Sequence, residues 1–102
     1  VIAAHWGGGL PFYGFMPEVR TLIASGRVIF DSAASQYLYT PDIYKLIPAI
    51  IGDSSVCWGS DFPLRSQLKD LRDVKANLSD KAFIKKFTSE NAMKFLNINN
   101  EA

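Results

Sequence analysis

Apolar residues in this chain fall into short runs of two kinds, punctuated by Gly, Pro and polar residues. Residues 1–5 (VIAAH) are apolar on both alternating faces, which predicts a strand covered on both sides in a parallel sheet. Residues 6–14 carry Gly7, Gly8, Gly9, Pro11 and Gly14 and read as a loop. Pro17 suits a first helical turn, where its missing N–H costs nothing. Val19, Leu22 and Ile23 then keep helical spacing up to a stop at Gly26. Residues 27–33 (RVIFDSA) predict a second strand, and SQYLY a polar loop. Thr40 and Pro41 mark a helix start. Ile43, Leu46, Ile47, Ile50 and Ile51 follow at the spacing of one buried face, with Pro48 expected to kink or split the helix and Gly52 to end it. Residues 55–60 (SVCWGS) predict a third strand. A helix with Leu64, Leu68, Leu71 and Val74 on one stripe follows. A short helix capped by Ser79 carries Phe83, Ile84 and Phe87, and a last one capped by Ser89 carries Ala92, Met93, Phe95 and Leu96.

The order β-α-β-α-β-α-α-α predicts a parallel α/β fold. In such a fold the strands point one way and their C-terminal ends share a rim. His5, Asp31 and Asp61 each stand at the end of a predicted strand, 26 and then 30 residues apart, close to the length of one βαβ unit of about 30 residues. The pattern therefore predicts that His5 and Asp61 face a common rim, two strands apart.

Composition narrows the function classes. With 48% apolar residues in 102, the chain can bury a core, and a net charge of +1 offers nothing to nucleic acid or to an acidic membrane surface. Cys57, the one cysteine, can form no internal disulfide and reads as a small buried hydrophobe. No run approaches the ~20 apolar residues of a membrane span, and no signal peptide precedes the first strand, so a cytoplasmic location is expected. Val1 already reads as mid-strand, which suggests the C-terminal piece of a longer protein.

Each candidate has a plain structural alternative. His5 can be a core or loop side chain, but the glycines after it allow close approach of a ligand. They also suggest a phosphate cradle, without the GxGxxG or Gly-Lys-Ser/Thr pattern that would support one. Asp61 can be a helix N-cap, and Asp31 a turn cap or a supporting partner. Arg20 and Arg65 read as solvated.

HWGGGLPFY (5–13) and WGSDFP (58–63), taken together, resemble the C-terminal part of the amidohydrolase-2 family. These are metal-dependent (β/α)8-barrel hydrolases and decarboxylases, including the aminocarboxymuconate-semialdehyde decarboxylase type. RVIFDSAAS (27–35) and SENAMKFL (89–96) are similar to the family's seventh strand and terminal helix, so the resemblance covers nearly all of the chain. It implies that residues 1–102 are the C-terminal portion of one TIM barrel, about three parallel strands with their following helices. It also implies that His5 polarises substrate or water, and that Asp61 ligates a divalent metal and shuttles a proton. Zinc is the expected metal, with manganese or iron as alternatives.

The family's remaining metal ligands, a His-x-His on strand one and a histidine on strand five, have no counterpart in a chain with one histidine. The site is expected to be incomplete and the isolated piece inactive. Three strands of an eight-stranded barrel should also leave two open edges and favour self-association, with a homo-oligomer as one outcome. The expected partner is a small-molecule substrate, with no nucleic acid and no membrane. The competing readings are a non-catalytic α/β binding or interaction module and a barrel relative that has lost its metal.

Overall fold

The computed structural model describes residues 1–63 and 65–97. Leu64, expected on a helical stripe, lies outside the described residues. Three strands, β1 (Ile2–Ala3), β2 (Ile29–Asp31) and β3 (Val56–Cys57), form a parallel sheet in the order β1-β2-β3, with Ile2 beside Ile29 and Phe30 beside Val56. All three are shorter than their apolar runs predict. Left-handed residues follow each strand, two positions after β1 at His5, three after β2 at Ala34 and four after β3 at Asp61.

Helices α1 (Pro17–Ala24), α2 (Ser35–Leu38), α3 (Ile43–Ile51) and α4 (Gln67–Asn77) flank the sheet. They are followed by α5 (Lys81–Lys85) and α6 (Asn91–Phe95). Pro17 opens α1 as predicted, and Gly26 follows it at φ +73. The predicted SQYLY loop instead contains the single turn α2, because Ser35 is drawn inward by bonds to Ser32 and Trp6. Pro48 does not split α3, which runs continuously from Ile43 to Ile51 with Gly52 as its C-cap.

The cap assignments also move. Ser66 caps α4 and Asp80 caps α5, where Ser79 was expected. Ser89 caps nothing. Its hydroxyl donates back to the Lys85 carbonyl, and α5 and α6 are one continuous helix through a π-turn at Lys86–Glu90. Of the predicted stripe on α4, Val74 is fully buried, Leu71 half-buried and Leu68 exposed, and Asp70 is buried beside Val74.

The main core gathers Trp6, Ile43, Tyr44, Ile47, Val56, Val74, Phe83 and Phe87, on the side of the sheet that carries α3, α4 and the terminal helix. Trp6 stacks on Phe87 at 6.1 Å and meets Tyr44 edge-on at 6.0 Å. Such aromatic pairs add about 0.5–1.5 kcal/mol each beyond area burial. A second cluster joins Ile23, Val28 and Phe30 under α1.

One expectation about the sheet edges is corrected. The π-turn sends the Asn91 N–H to the Lys86 carbonyl, which frees the Phe87 carbonyl to accept the Trp58 N–H at 2.8 Å. The Asn91 side-chain amide donates to the Val56 carbonyl at 2.8 Å and to that of Asp53 at 2.6 Å. The outer edge of β3 is thus covered by the terminal helix, and the open edge is that of β1.

Candidate functional site

The chain leaves β1 through an unusual turn. Residues 5–9 all have positive φ, at 56, 57, 62, 63 and 101°, and residues 10–13 then coil right-handed. For His5 and Trp6 this conformation costs roughly 1–2 kcal/mol each, so other contacts must hold it. Trp6 supplies the largest. It is fully buried, and its indole N–H donates to the Ser35 hydroxyl at 2.7 Å. Gly7 passes so close to the Phe30 ring that an added Cβ would lie 2.6 Å from Cε1. The Asp31 carboxylate accepts the His5 backbone N–H at 3.1 Å and the Ala33 N–H at 3.0 Å. With Trp6 pulled inward and the His5 backbone pinned by the central strand, the imidazole is left half-exposed at the rim.

The exit of β3 is built on the same plan. Buried Ser32, the first residue after the central strand, bridges to Gly59, whose N–H donates to the serine hydroxyl at 3.2 Å. Asp61 follows two positions later at φ +59 and half-exposed, and the Phe62–Pro63 peptide is cis. Asp61 caps no helix, since Ser66 takes that place in α4. His5 Nε2 lies 4.0 Å from Asp61 Oδ2. The structure therefore brings the two rim residues together, and it places Asp31 behind His5 as a backbone anchor.

A zinc ion held by two side chains in tetrahedral geometry, each ~2.0–2.1 Å away, separates their donor atoms by about 3.3 Å. The His5–Asp61 spacing is wider, and no cluster of three or more His, Cys, Asp or Glu that could hold a metal occurs among the described residues. These residues alone do not fit a metal.

Cys57 is buried and unpaired, as its apolar context predicts. Burial, with a smaller contribution from the Asp31 charge, pushes its thiol up to about 11. Burial likewise raises the Tyr44 phenol.

Sequence reasoning passed over Asp70. It is fully buried and accepts from Gln36 Nε2 and Trp58 Nε1, each at 2.7 Å, and from Arg65 Nε at 3.0 Å. Arg65 is accordingly not solvated. It is about nine-tenths buried and also reaches Asp73. The one available signal was that Asp70 sits four positions before Val74, on the buried stripe of α4. Arg20 is exposed, as expected, with its guanidinium 5.5 Å from the centre of the Phe15 ring.

Parallel strands with following helices, and polar side chains at the C-terminal rim, define the architecture of a (β/α)8-barrel segment. Comparison with solved structures bears this out. The chain is similar to 5-carboxyvanillate decarboxylase LigW from Sphingomonas paucimobilis, with a TM-score of 0.74 over 96% of this chain and 13% sequence identity. It spans 33% of that protein's length. No family profile and no curated protein sequence matches the chain. No helix among the described residues is long and apolar enough to cross a membrane.

Proposed function

We propose that this chain is the C-terminal part of a metal-dependent hydrolase or decarboxylase of the amidohydrolase type, acting on a small molecule. The observation that supports it is the meeting of His5 and Asp61 at 4.0 Å on the C-terminal rim, both in left-handed backbone. Strained backbone of this kind gathers at working sites, because the surrounding structure must over-determine it.

The roles follow from the chemistry of the two groups. The His5 imidazole donates a hydrogen bond through Nε2 to a substrate oxygen and polarises it. The Asp61 carboxylate accepts a proton through Oδ2 and returns it, 4.0 Å from the imidazole. A metal at this rim requires ligands from outside the chain, with Asp61 supplying one. The similar decarboxylase favours loss of CO2 from a carboxylated substrate over hydrolysis.

The coding region upstream of Val1 tests the reading. A His-x-His about 200 residues upstream, opening a barrel of roughly 250–300 residues, would support an enzyme whose last third is this chain. A start codon within a few residues of Val1 would remove catalysis and leave the non-catalytic interaction module.

A further inference from the structure

Asp61 stands between the end of β3 at Cys57 and the start of α4 at Gln67. Of its own two sides, the strand side is bound to the rest of the protein through Trp58, three positions before it, and the helix side through Arg65, four positions after. Both side chains end on one group. Trp58 Nε1 donates to Asp70 Oδ2 at 2.7 Å, and Arg65 Nε donates to Asp70 Oδ1 at 3.0 Å. The Asp70 side chain is about 1% exposed, and Gln36 Nε2 fills its remaining approach at 2.7 Å. The Gln36 amide donates in turn to the Tyr44 hydroxyl at 3.1 Å, so the carboxylate is anchored to the core. Asp73 holds the outer end of Arg65.

We infer that Asp70 is a positioning residue for Asp61: its buried carboxylate draws Trp58 and Arg65 together and so fixes where the intervening segment presents Asp61 to His5. A carboxylate bonded by three donors in a dry site is costly to leave half-satisfied. That makes the arrangement stiff, as a group placed at 4.0 Å from its partner requires. A core-packing role alone would be met by an apolar residue beside Val74 and would need no bond to either side of Asp61. The inference rests on the reading that Asp61 works together with His5.

His5 is the only histidine in the chain. In the complete protein labelled with 13C, the histidine ring Cε1–H cross-peak that disappears in His5→Gln is that of His5, and it reports the Asp61 carboxylate beside it. Asp61→Asn sets the scale by displacing this peak. Arg65→Gln is expected to displace it in the same direction by most of that amount, and Asp73→Asn, at a half-exposed position, by a smaller part. The Trp6 indole peak, a marker of the core, should stay in place in all three. If the His5 peak keeps its wild-type position in both Arg65→Gln and Asp73→Asn while Asp61→Asn moves it, the positioning role of Asp70 is wrong and the His5–Asp61 pair stands. If Asp61→Asn itself leaves the peak unmoved, the pair is wrong and the positioning role falls with it. Should Arg65→Gln fail to fold, Asp73→Asn decides alone.

Discussion

The carboxylate of Asp31 accepts the backbone N–H of His5 at 3.1 Å, so the middle strand fixes the residue that ends the first. The same oxygen also accepts the Ala33 N–H at 3.0 Å. Asp31→Ala leaves both donors without an acceptor. It should destabilise the chain by about 1–3 kcal/mol, read from the urea midpoint. Asp31→Asn keeps an acceptor oxygen and should cost clearly less.

Asp61 takes no part in the core, with its side chain nearly half-exposed. Asp61→Asn should leave the melting temperature almost unchanged. In the complete enzyme it should lower turnover by about 10²–10⁴-fold, the usual contribution of a proton-transferring group. Turnover equal to wild type would remove Asp61 from the mechanism.

Gly7 is required twice over, by a φ of +62° and by the Phe30 ring, which an added Cβ would approach to 2.6 Å. Gly7→Ala should destabilise by about 2–5 kcal/mol, combining overpacking with the left-handed penalty. Gly8 has the same backbone but open space around it, so Gly8→Ala should cost only the conformational part. Denaturant titration of the two variants separates these contributions.

Cys57 yields a pH prediction. Its thiol lies at about 11 in the folded chain against 9.0 for the free group. The folded state therefore binds more protons between those values. The stability from the buried neutral thiol is fully present below pH 9 and is lost as pH rises through 11, by roughly 2–3 kcal/mol in all. Cys57→Ala should flatten this alkaline loss. Below pH 9 the native thiol should react slowly with a thiol reagent.

With the β3 edge covered, association of the isolated chain should run through β1, where Ile2 is about half-exposed. Ile2→Lys places a charge on that open edge and should suppress concentration-dependent association in sedimentation experiments. Association unchanged by the substitution would locate the contact elsewhere.

The parallel α/β order was legible because the apolar runs, their Gly and Pro boundaries and the repeat of polar strand-end residues all agree. The approach of His5 to Asp61 followed from the shared rim. What escaped was decided by contacts between distant residues. No periodicity says that Trp6 will turn inward and carry His5 into left-handed backbone, since that depends on a Ser35 hydroxyl far along the chain. Ser79 and Asp80 are both good caps, and it is Asp80 whose carboxylate accepts the Ala82 and Phe83 N–H groups. Asp70 and Arg65 look like ordinary charges on an exposed helix start until Trp58 and Gln36 arrive from other elements. The π-turn is invisible for the same reason, because its freed carbonyl has meaning only beside the Trp58 N–H.

That π-turn also sets an order of events during synthesis. Asn91 reaches back 35 residues to the Val56 carbonyl. At ~5–20 residues per second, β3 leaves the ribosome roughly 2–7 s before the helix that seals its edge exists. For that interval the nascent strand can bind a chaperone or a neighbouring nascent chain, and the arrival of Phe87 and Asn91 closes the window. A stop codon in α5 would hold the window open permanently, so its product should be cleared by proteolysis far faster than the intact chain.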